Sequence, residues 1–524
     1  MESPMENGIA QKDETSAYLV IPFSIALAQL VIQMLFHGNY GYFRDELYYI
    51  ACSKHLAFGY VDQPPLSLVI LAAVRWVVGD SLHAIRFLPA LSISATSILA
   101  ALMALRLGGG RFASGLSALC VVAAPVLLGQ GRYFSMNSID ILFWAAAGYV
   151  VIRIISGDSP RLWLVFGLIV GFGLQNKYSV GFLCIGLVAG ILLTPERRHL
   201  ATKWFWLGVL IASLLFLPHV LWELKNGIPS LEFMRNASQL KNTPTTILEF
   251  IGGQLRELNY FCAPIWLLGL YYFFFDIAGR RHRTLAWTYL VVLIIMVIGN
   301  GKAYYLSPVY PTLFAGGAVF FERITAEQSR RWFKRGMVGG ILTLTAISAP
   351  FAIPILPVET FIAYQNFLGI KPHADEKSSL GVLPQHYADE FGWEEMVAVL
   401  ASAYQKLTPE EQAKCFIYAR NYGEAAAVDF FGPKYGLPSA ACAHNSYWFW
   451  GPGDRTGDVA IIIGGSRTLQ DNLNDLNRRY QHVELGGTTK LEYSMPYENG
   501  KMIFICKGMN TTFQKLWPEE RFFI

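Results

Sequence analysis

Six charged side chains in this sequence stand where chemistry could be done: Asp45, Glu46, Arg132, Asp140, Lys177 and Lys302. Asp45 and Glu46 are adjacent in YFRDELYY (Tyr42 to Tyr49), with Arg44 beside them and tyrosines on both flanks, just beyond the first apolar run. A carboxylate in such a place can take the proton of a hydroxyl nucleophile or hold a cation. The same residues also suit a solvated loop anchored by interfacial tyrosines. Asp140, in GQGRYFSMNSIDILFW, is followed at once by Ile141, Leu142, Phe143 and Trp144, so it lies at or just inside an apolar boundary. A charge there is costly unless it meets a partner or a polar cavity, which makes it a functional candidate. An N-cap is the other reading, and the two are compatible. Lys177 in GLQNKYSV and Lys302 in GNGKAYYLSPVYP are lone cations beside tyrosines. They read either as snorkelling lysines or, with Arg132, as an anion site, a phosphate being the anion that a lipid carrier presents.

The elements that must position these groups are membrane helices. Of the 524 residues 53% are hydrophobic and only 15% charged, and the mean hydropathy is +0.35, whereas soluble domains carry roughly 25% charged residues. Spans of about 20 apolar residues are read at 17–36, 83–105, 112–130, 138–155, 162–176, 178–194, 204–222, 259–276, 284–300, 303–321 and 336–356, about eleven in all. The stretch 65–78, with Arg75, is expected as an interfacial or re-entrant helix. The alternate short loops then carry Arg106 and Arg111, Arg153 and Arg161, Arg197, Arg198 and Lys203, Arg280, Arg281 and Arg283, and the cluster from Arg323 to Arg335. Those loops are cytoplasmic by the positive-inside rule, and the six candidate residues fall on the other side.

Four parts are therefore expected: a cytoplasmic tail 1–16 without a cleavable signal peptide, a transmembrane domain 17–356 with a first outside loop 37–82, a linker 357–385, and an extracytoplasmic α/β domain 386–524. The charge divides in the same way, since residues 357–524 sum to −5 and residues 1–356 to +9. In the last domain, strands are expected in CFIYARNYG, DVAIIIGG and KMIFICKG, and helices in GWEEMVAVLASAYQKL, EAAAVDFFG and LQDNLNDLNRRY. The glycines of IIIGGS read as a strand-ending turn, because neither G-x-G-x-x-G nor a P-loop is present. Nothing points to a nucleic-acid partner. The seven cysteines show neither a C-x-x-C pair nor a metal spacing, and a disulfide among Cys415, Cys442 and Cys506 is left open.

The order of these motifs carries a resemblance. D-E in a long first loop is followed by acid-x-P-P-L (VDQPPL), R-x(7)-D before the fourth span, x-N-K-Y, and K-x-Y-Y-L-x-P-x-Y-P. Over residues 15 to 325 this resembles the integral-membrane glycosyltransferases of the C superfamily, and most of all the protein O-mannosyltransferase and aminoarabinose transferase group. The resemblance implies an eleven-span core, a polyprenyl-phosphate-sugar donor, and a hydroxyl acceptor on an envelope lipid, glycan or protein at the outer face of the plasma membrane. It makes Asp45 the base, Glu46 its neighbour and Asp140 a second-loop acid. It places Arg132, Lys177 and Lys302 on the donor phosphate, with Arg44, Asp62, Tyr304 and Tyr305 as additional site residues. The sequence departs from the aminoarabinose branch at Asp62-Gln63-Pro64-Pro65, where that branch has a lysine after the acid. A divalent metal ion on Asp45, Glu46, Asp62 and Asp140 is left open. Two other classes remain: a secondary transporter, against which stand the one-sided charges and the lack of an internal repeat, and a non-enzymatic receptor with an exported binding domain.

Overall fold

The computed structural model describes residues 4–241, 243, 245–372, 377–465 and 468–524, with side chains from residue 17 onward. Residues 1–3 of the expected tail, 373–376 of the expected linker and Ser466 of the IIIGGS turn lie outside the described residues. The chain divides into two compact units: Met1–Asn39 with Val78–Val220 and Pro244–Pro357, and Tyr40–Val77 with Leu221–Thr243 and Val358–Ile524.

The first unit is helical. Among the described residues five helices are long and apolar enough to cross a membrane: Ala17–Phe36, Leu82–Arg106, Met136–Ile155, Lys203–Lys225 and Arg280–Ile298. Ser179–Leu192 and Pro195–Ala201 make a sixth if that pair, bent by 110°, is one span. Several other expected spans are shorter or interrupted, whereas the expected 336–356 falls on a helix of 22 residues, Arg331–Ala352. The stretch 112–130 is divided into Arg111–Ala123 and Pro125–Gln130, with Ala124 extended between them. Pro125 has no N–H to continue the ladder and drives the preceding residue out of the helical region. The stretch 303–321 opens as a 3-10 turn, Ala303–Val309, and becomes α-helical at Tyr310–Ile324. Ala263–Phe275 packs tightly on this last helix: a methyl at Gly317 would run into the Ile265 carbonyl, and one at Gly269 into that of Leu313. Small residues allow such close approach where lipid supplies no hydrophobic drive between helices.

In the second unit, residues 415–509 build a five-stranded sheet from β1 (Cys415–Tyr418), β2 (Ala440–Ala441), β3 (Val459–Ile463), β4 (Tyr480–Thr488) and β5 (Met502–Met509), in the order β2-β1-β3-β5-β4. β1 is parallel to β2 and β3, whereas β5 is antiparallel to both of its neighbours. The register aligns Ile461 with Ile417 on one side and with Ile505 on the other, so the centre of the sheet is apolar on both faces. The three expected strands and the helices Trp393–Tyr404, Tyr422–Phe431 and Leu469–Leu476 form where the patterning places them. β4 and the short β2 are additional, and a helix, Val358–Phe367, occupies part of the expected linker.

The helix Leu66–Val78 has 13 residues, about 20 Å at 1.5 Å per residue, which is short of a ~30 Å hydrocarbon core. Its Arg75 donates to Ser53 Oγ (2.7 Å), and Trp76 at its far end is 88% exposed.

Candidate functional site

The helix Arg44–Lys54 holds the D-E pair in its first turn, where carboxylates complement the N-terminal dipole. The two acids are placed differently. Glu46 is fully buried, and its Oε2 accepts the Phe43 N–H (2.9 Å), so it ties down the start of the helix. Asp45 is 37% exposed through its side chain; Oδ1 accepts the Tyr422 hydroxyl at 2.9 Å and lies 3.7 Å from Arg44 Nε. Arg44 is fixed by the Tyr497 hydroxyl (2.6 Å) and by Asp389 (4.0 Å), and its guanidinium lies 5.1 Å from the Tyr422 ring centre.

Asp62 belongs to the same unit. It accepts the Tyr48 hydroxyl (3.1 Å), and Tyr48 in turn accepts the Ser446 N–H (3.1 Å). Burial, reinforced by the neighbouring Asp45 charge and opposed by hydrogen bonds and by Lys241, pushes its carboxyl up to about 7. Gln63, which stands where the aminoarabinose branch has lysine, is buried, and among the described residues neither atom of its amide has a hydrogen-bond partner.

Asp140 and Lys177 meet in the first unit. Asp140 is fully buried on the helix Met136–Ile155; both its oxygens are 2.6 Å from Ser179 Oγ, and Lys177 Nζ is 3.8 Å away. Lys177 donates to Asn137 Oδ1 (2.6 Å) and lies 5.5 Å from the Tyr305 ring centre. Tyr305 stacks edge-on with Tyr304 at 4.6 Å in the 3-10 turn that Lys302 precedes. Lys177, Tyr305 and the N-terminus of Met136–Ile155 thus form one cluster. Arg132 is buried at the end of Pro125–Gln130, 5.3 Å from the Tyr133 ring centre.

A second buried basic group in this unit had no signal in the motifs. Arg86 is fully buried and donates to the His37 carbonyl (2.6 Å). Burial, aided by the charges of Arg86, His83 and Arg132, lowers the His37 imidazole to about 3. Arg86 sits inside an apolar span, and an arginine within a run is easily read as a helix end, which is why spacing did not single it out.

Among the described residues no group of three or more His, Cys, Asp or Glu side chains comes together as a metal site. Asp45, Glu46 and Asp62 do not make a ligand set: Glu46 is committed to the helix start and Asp62 to Tyr48. All seven cysteines are free thiols.

A cavity of about 250 Å³ lies within the second unit, with Arg44, Lys241, Lys377, Asn421, Tyr422 and His444 in its walls. Tyr422, which holds Asp45, is one of those walls.

Comparison with known proteins agrees with the motif order. Residues 62–222 match the family model described as dolichyl-phosphate-mannose-protein mannosyltransferase. The chain is 25% identical over 266 residues to the lipid A galacturonosyltransferase RgtD of Rhizobium johnstonii, which covers 49% of this chain and 55% of that protein. It is 27% identical over 210 residues to an undecaprenyl phosphate-alpha-4-amino-4-deoxy-L-arabinose arabinosyl transferase of Pseudomonas fluorescens, covering 39% of this chain and 36% of that one. The chain thus spans about half, or less, of the length of these curated relatives. The crystal structure of ArnT from Cupriavidus metallidurans bound to undecaprenyl phosphate superposes with a TM-score of 0.60 over 94% of this chain and 98% of that one, at 14% identity. In its fold the chain is similar to that ArnT structure, and residues 62–222 are similar in sequence to the mannosyltransferase family model.

Proposed function

We propose that the protein transfers a sugar from a polyprenyl-phosphate donor to a hydroxyl of an envelope lipid, glycan or protein, at the outer face of the plasma membrane. The names of its relatives support this reading, since they are transferases of sugars to lipid A or from undecaprenyl phosphate. Residues 17–356 form the membrane domain of this proposal. The part from 386 onward, with the first loop 37–82, lies outside the cytoplasm, as the basic loops require.

The observation that carries the mechanism is the setting of Asp45. It is the exposed member of the D-E pair, it is oriented by Tyr422, and the cationic Arg44 lies beside it. Asp45 takes the proton of the acceptor hydroxyl as the oxygen attacks the anomeric carbon. The bond from that carbon to the phosphate oxygen breaks, and its electron pair leaves with the phosphate. A single displacement inverts the anomeric centre. Arg132, Lys177 and Lys302 are assigned to the departing phosphate, where fixed cations offset developing charge without reorganisation. Asp140 acts through Lys177, holding the ammonium in place. Tyr305 lies beside it, with Tyr304 packed on Tyr305.

The test is Asp45→Asn in the full chain, with a radiolabelled polyprenyl-phosphate-sugar panel resolved by thin-layer chromatography. Transfer is expected to vanish while donor binding persists. Near-normal turnover in the variant removes Asp45 from the role of base. Counterflow of a solute in proteoliposomes without any lipid-linked sugar would instead support a transporter.

A further inference from the structure

We infer that Lys501 is a positioning residue for the transfer: it fixes the start of the helix Tyr422–Phe431, whose first side chain holds Asp45. The inference rests on the reading of Asp45 as the base and names what keeps that base aimed.

Lys501 stands one residue before β5, and its backbone is anchored there on both sides. Its N–H donates to Thr489 Oγ1 (2.8 Å), and its carbonyl accepts the Thr489 N–H (2.8 Å). Its ammonium meets Glu424 Oε1 and lies 3.2 Å from Glu498 Oε2. Both acids are buried, and only 14% of the Lys501 side chain is exposed. Burial weighs against the ammonium, but the two acids outweigh it and hold Lys501 above the ordinary lysine range. Burial, reinforced by the Glu424 charge, pushes the Glu498 carboxyl up, so Glu424 is the principal counter-ion.

The same two acids hold the start of the helix. Glu424 Oε2 accepts the Arg420 N–H (2.7 Å) and the Asn421 N–H (3.3 Å), while Asn421 Oδ1 accepts the Glu424 N–H (3.0 Å), which closes a capping box. Asn421 Nδ2 donates in turn to Glu498 Oε1 (3.0 Å). The cap thus ends on two acids that share one lysine. Without that ammonium the two buried acids repel each other when both are ionised, and the ties that end on them must shift.

Tyr422 is the first residue after this cap, and its place is tight. Its hydroxyl donates to Asp45 Oδ1 (2.9 Å), and its ring centre is 4.7 Å from that of Tyr48. Gly423 packs so closely on Arg44 that a methyl there would lie 2.5 Å from Arg44 Cγ. A shift of the cap therefore displaces the hydroxyl that aims Asp45, and a misplacement of ~1 Å can cost on the order of 10²-fold in rate.

The experiment is a kinetic double-mutant cycle on the full chain in detergent: Lys501→Met, Tyr422→Phe and the two together. The substrate is the radiolabelled polyprenyl-phosphate-sugar of the panel above that the wild type turns over. Each single variant is expected to lower kcat ~10–100-fold. The donor KM should stay unchanged, the mark of an interaction used only in the transition state. The double variant should lose no more than Tyr422→Phe alone, because the lysine acts through the tyrosine. Losses that multiply in the double variant, as a merely structural role would give, overturn the inference. So does Lys501→Met with wild-type kcat, or Tyr422→Phe with wild-type kcat. If Lys501→Met does not fold, Asn421→Ala, which cuts the same tie at a half-buried residue, takes its place in the cycle with the same outcomes. The reading beneath is decided separately: near-normal turnover in Asp45→Asn removes the base, and no turnover of any donor by the wild type removes the transferase.

Discussion

The acids of the two units are held in opposite ways. In the first, Asp140 is satisfied by Ser179 and Lys177, and Glu322 by three backbone amides at the start of Arg111–Ala123. In the second, Glu46 is similarly committed, but Asp45 is left partly exposed and Asp62 carries a carboxyl whose ionisation the fold resists. The difference shows where an acid can still work. A carboxylate whose lone pairs are already filled positions helices, whereas one with a single hydroxyl donor and an open side can receive a proton. Among the acids, the large effect on turnover is therefore expected from Asp45 of the second unit, and effects on stability from Asp140 and Glu322 of the first.

Asp45→Asn tests the strongest form of this contrast. Loss of a general base is expected to lower kcat by ~10²–10⁴-fold with donor affinity and thermal midpoint near wild type. A comparable loss of midpoint would move Asp45 to the structural side. The matching test in the first unit is the Asp140–Lys177 pair. Removing one partner leaves the other buried, so Lys177→Met or Asp140→Asn alone is expected to cost about 3–5 kcal/mol. The double variant should recover much of that, read as unfolding in detergent through a double-mutant cycle. If Lys177→Met keeps its stability and loses only donor affinity, Lys177 serves the phosphate without being held by Asp140.

The motifs exposed this much of the site because its residue types are out of place in apolar sequence: an acid ahead of Ile141 to Trp144, and lysines in very short turns. They gave Lys177 to a phosphate and Asp140 to the acceptor side, and the structure sets the two 3.8 Å apart. What they could not show was satisfaction. Asp45 and Glu46 are neighbours of like charge, and only the turn of the helix sends one inward to the Phe43 amide and the other toward Tyr422, 377 residues away. The cavity was illegible for the same reason, since its walls come from Arg44, Lys241, Lys377 and His444. In the fold, the apolar β1, β3 and β5 were readable as runs. β4, YQHVELGGT, was not, because an edge strand with its outer side in water carries few apolar residues. The span boundaries failed where a proline broke an apolar run, as at Pro125, since hydropathy does not register backbone geometry.

Asp62 gives a smaller effect with a defined sign. Its carboxyl sits at about 7 in the fold against an ordinary 3.8, so between those values the folded chain binds a proton that the unfolded chain has released. Stability contributed by this group is therefore complete below about 4, falls as pH rises through that window, and stops changing above about 7. Asp62→Asn should remove that component: the thermal midpoint of the full chain should drop less between pH 4.5 and 8 in the variant than in the wild type. Identical slopes would mean that the fold does not resist the ionisation of Asp62.

The smallest effect is expected at Glu322, where the first unit's rule is tested without touching the proposed chemistry. Its Oε2 accepts the Gly110 N–H at 2.6 Å, and Oε1 accepts those of Phe112 and Ala113 at 3.0 and 3.1 Å. These amides are donors that a helix start leaves without intrahelical partners, and the carboxylate adds its charge to the favourable end of the dipole. Glu322→Gln keeps an acceptor oxygen in place of two and removes the charge, so about 1 kcal/mol of stability is expected to go. Because the helix Arg111–Ala123 packs beside Leu82–Arg106 with an apolar face that the substitution leaves intact, kcat should stay near the wild-type value. A drop in kcat larger than the stability loss explains would show that an acid with filled lone pairs can still govern turnover, and would break the division between the two units at its weakest point.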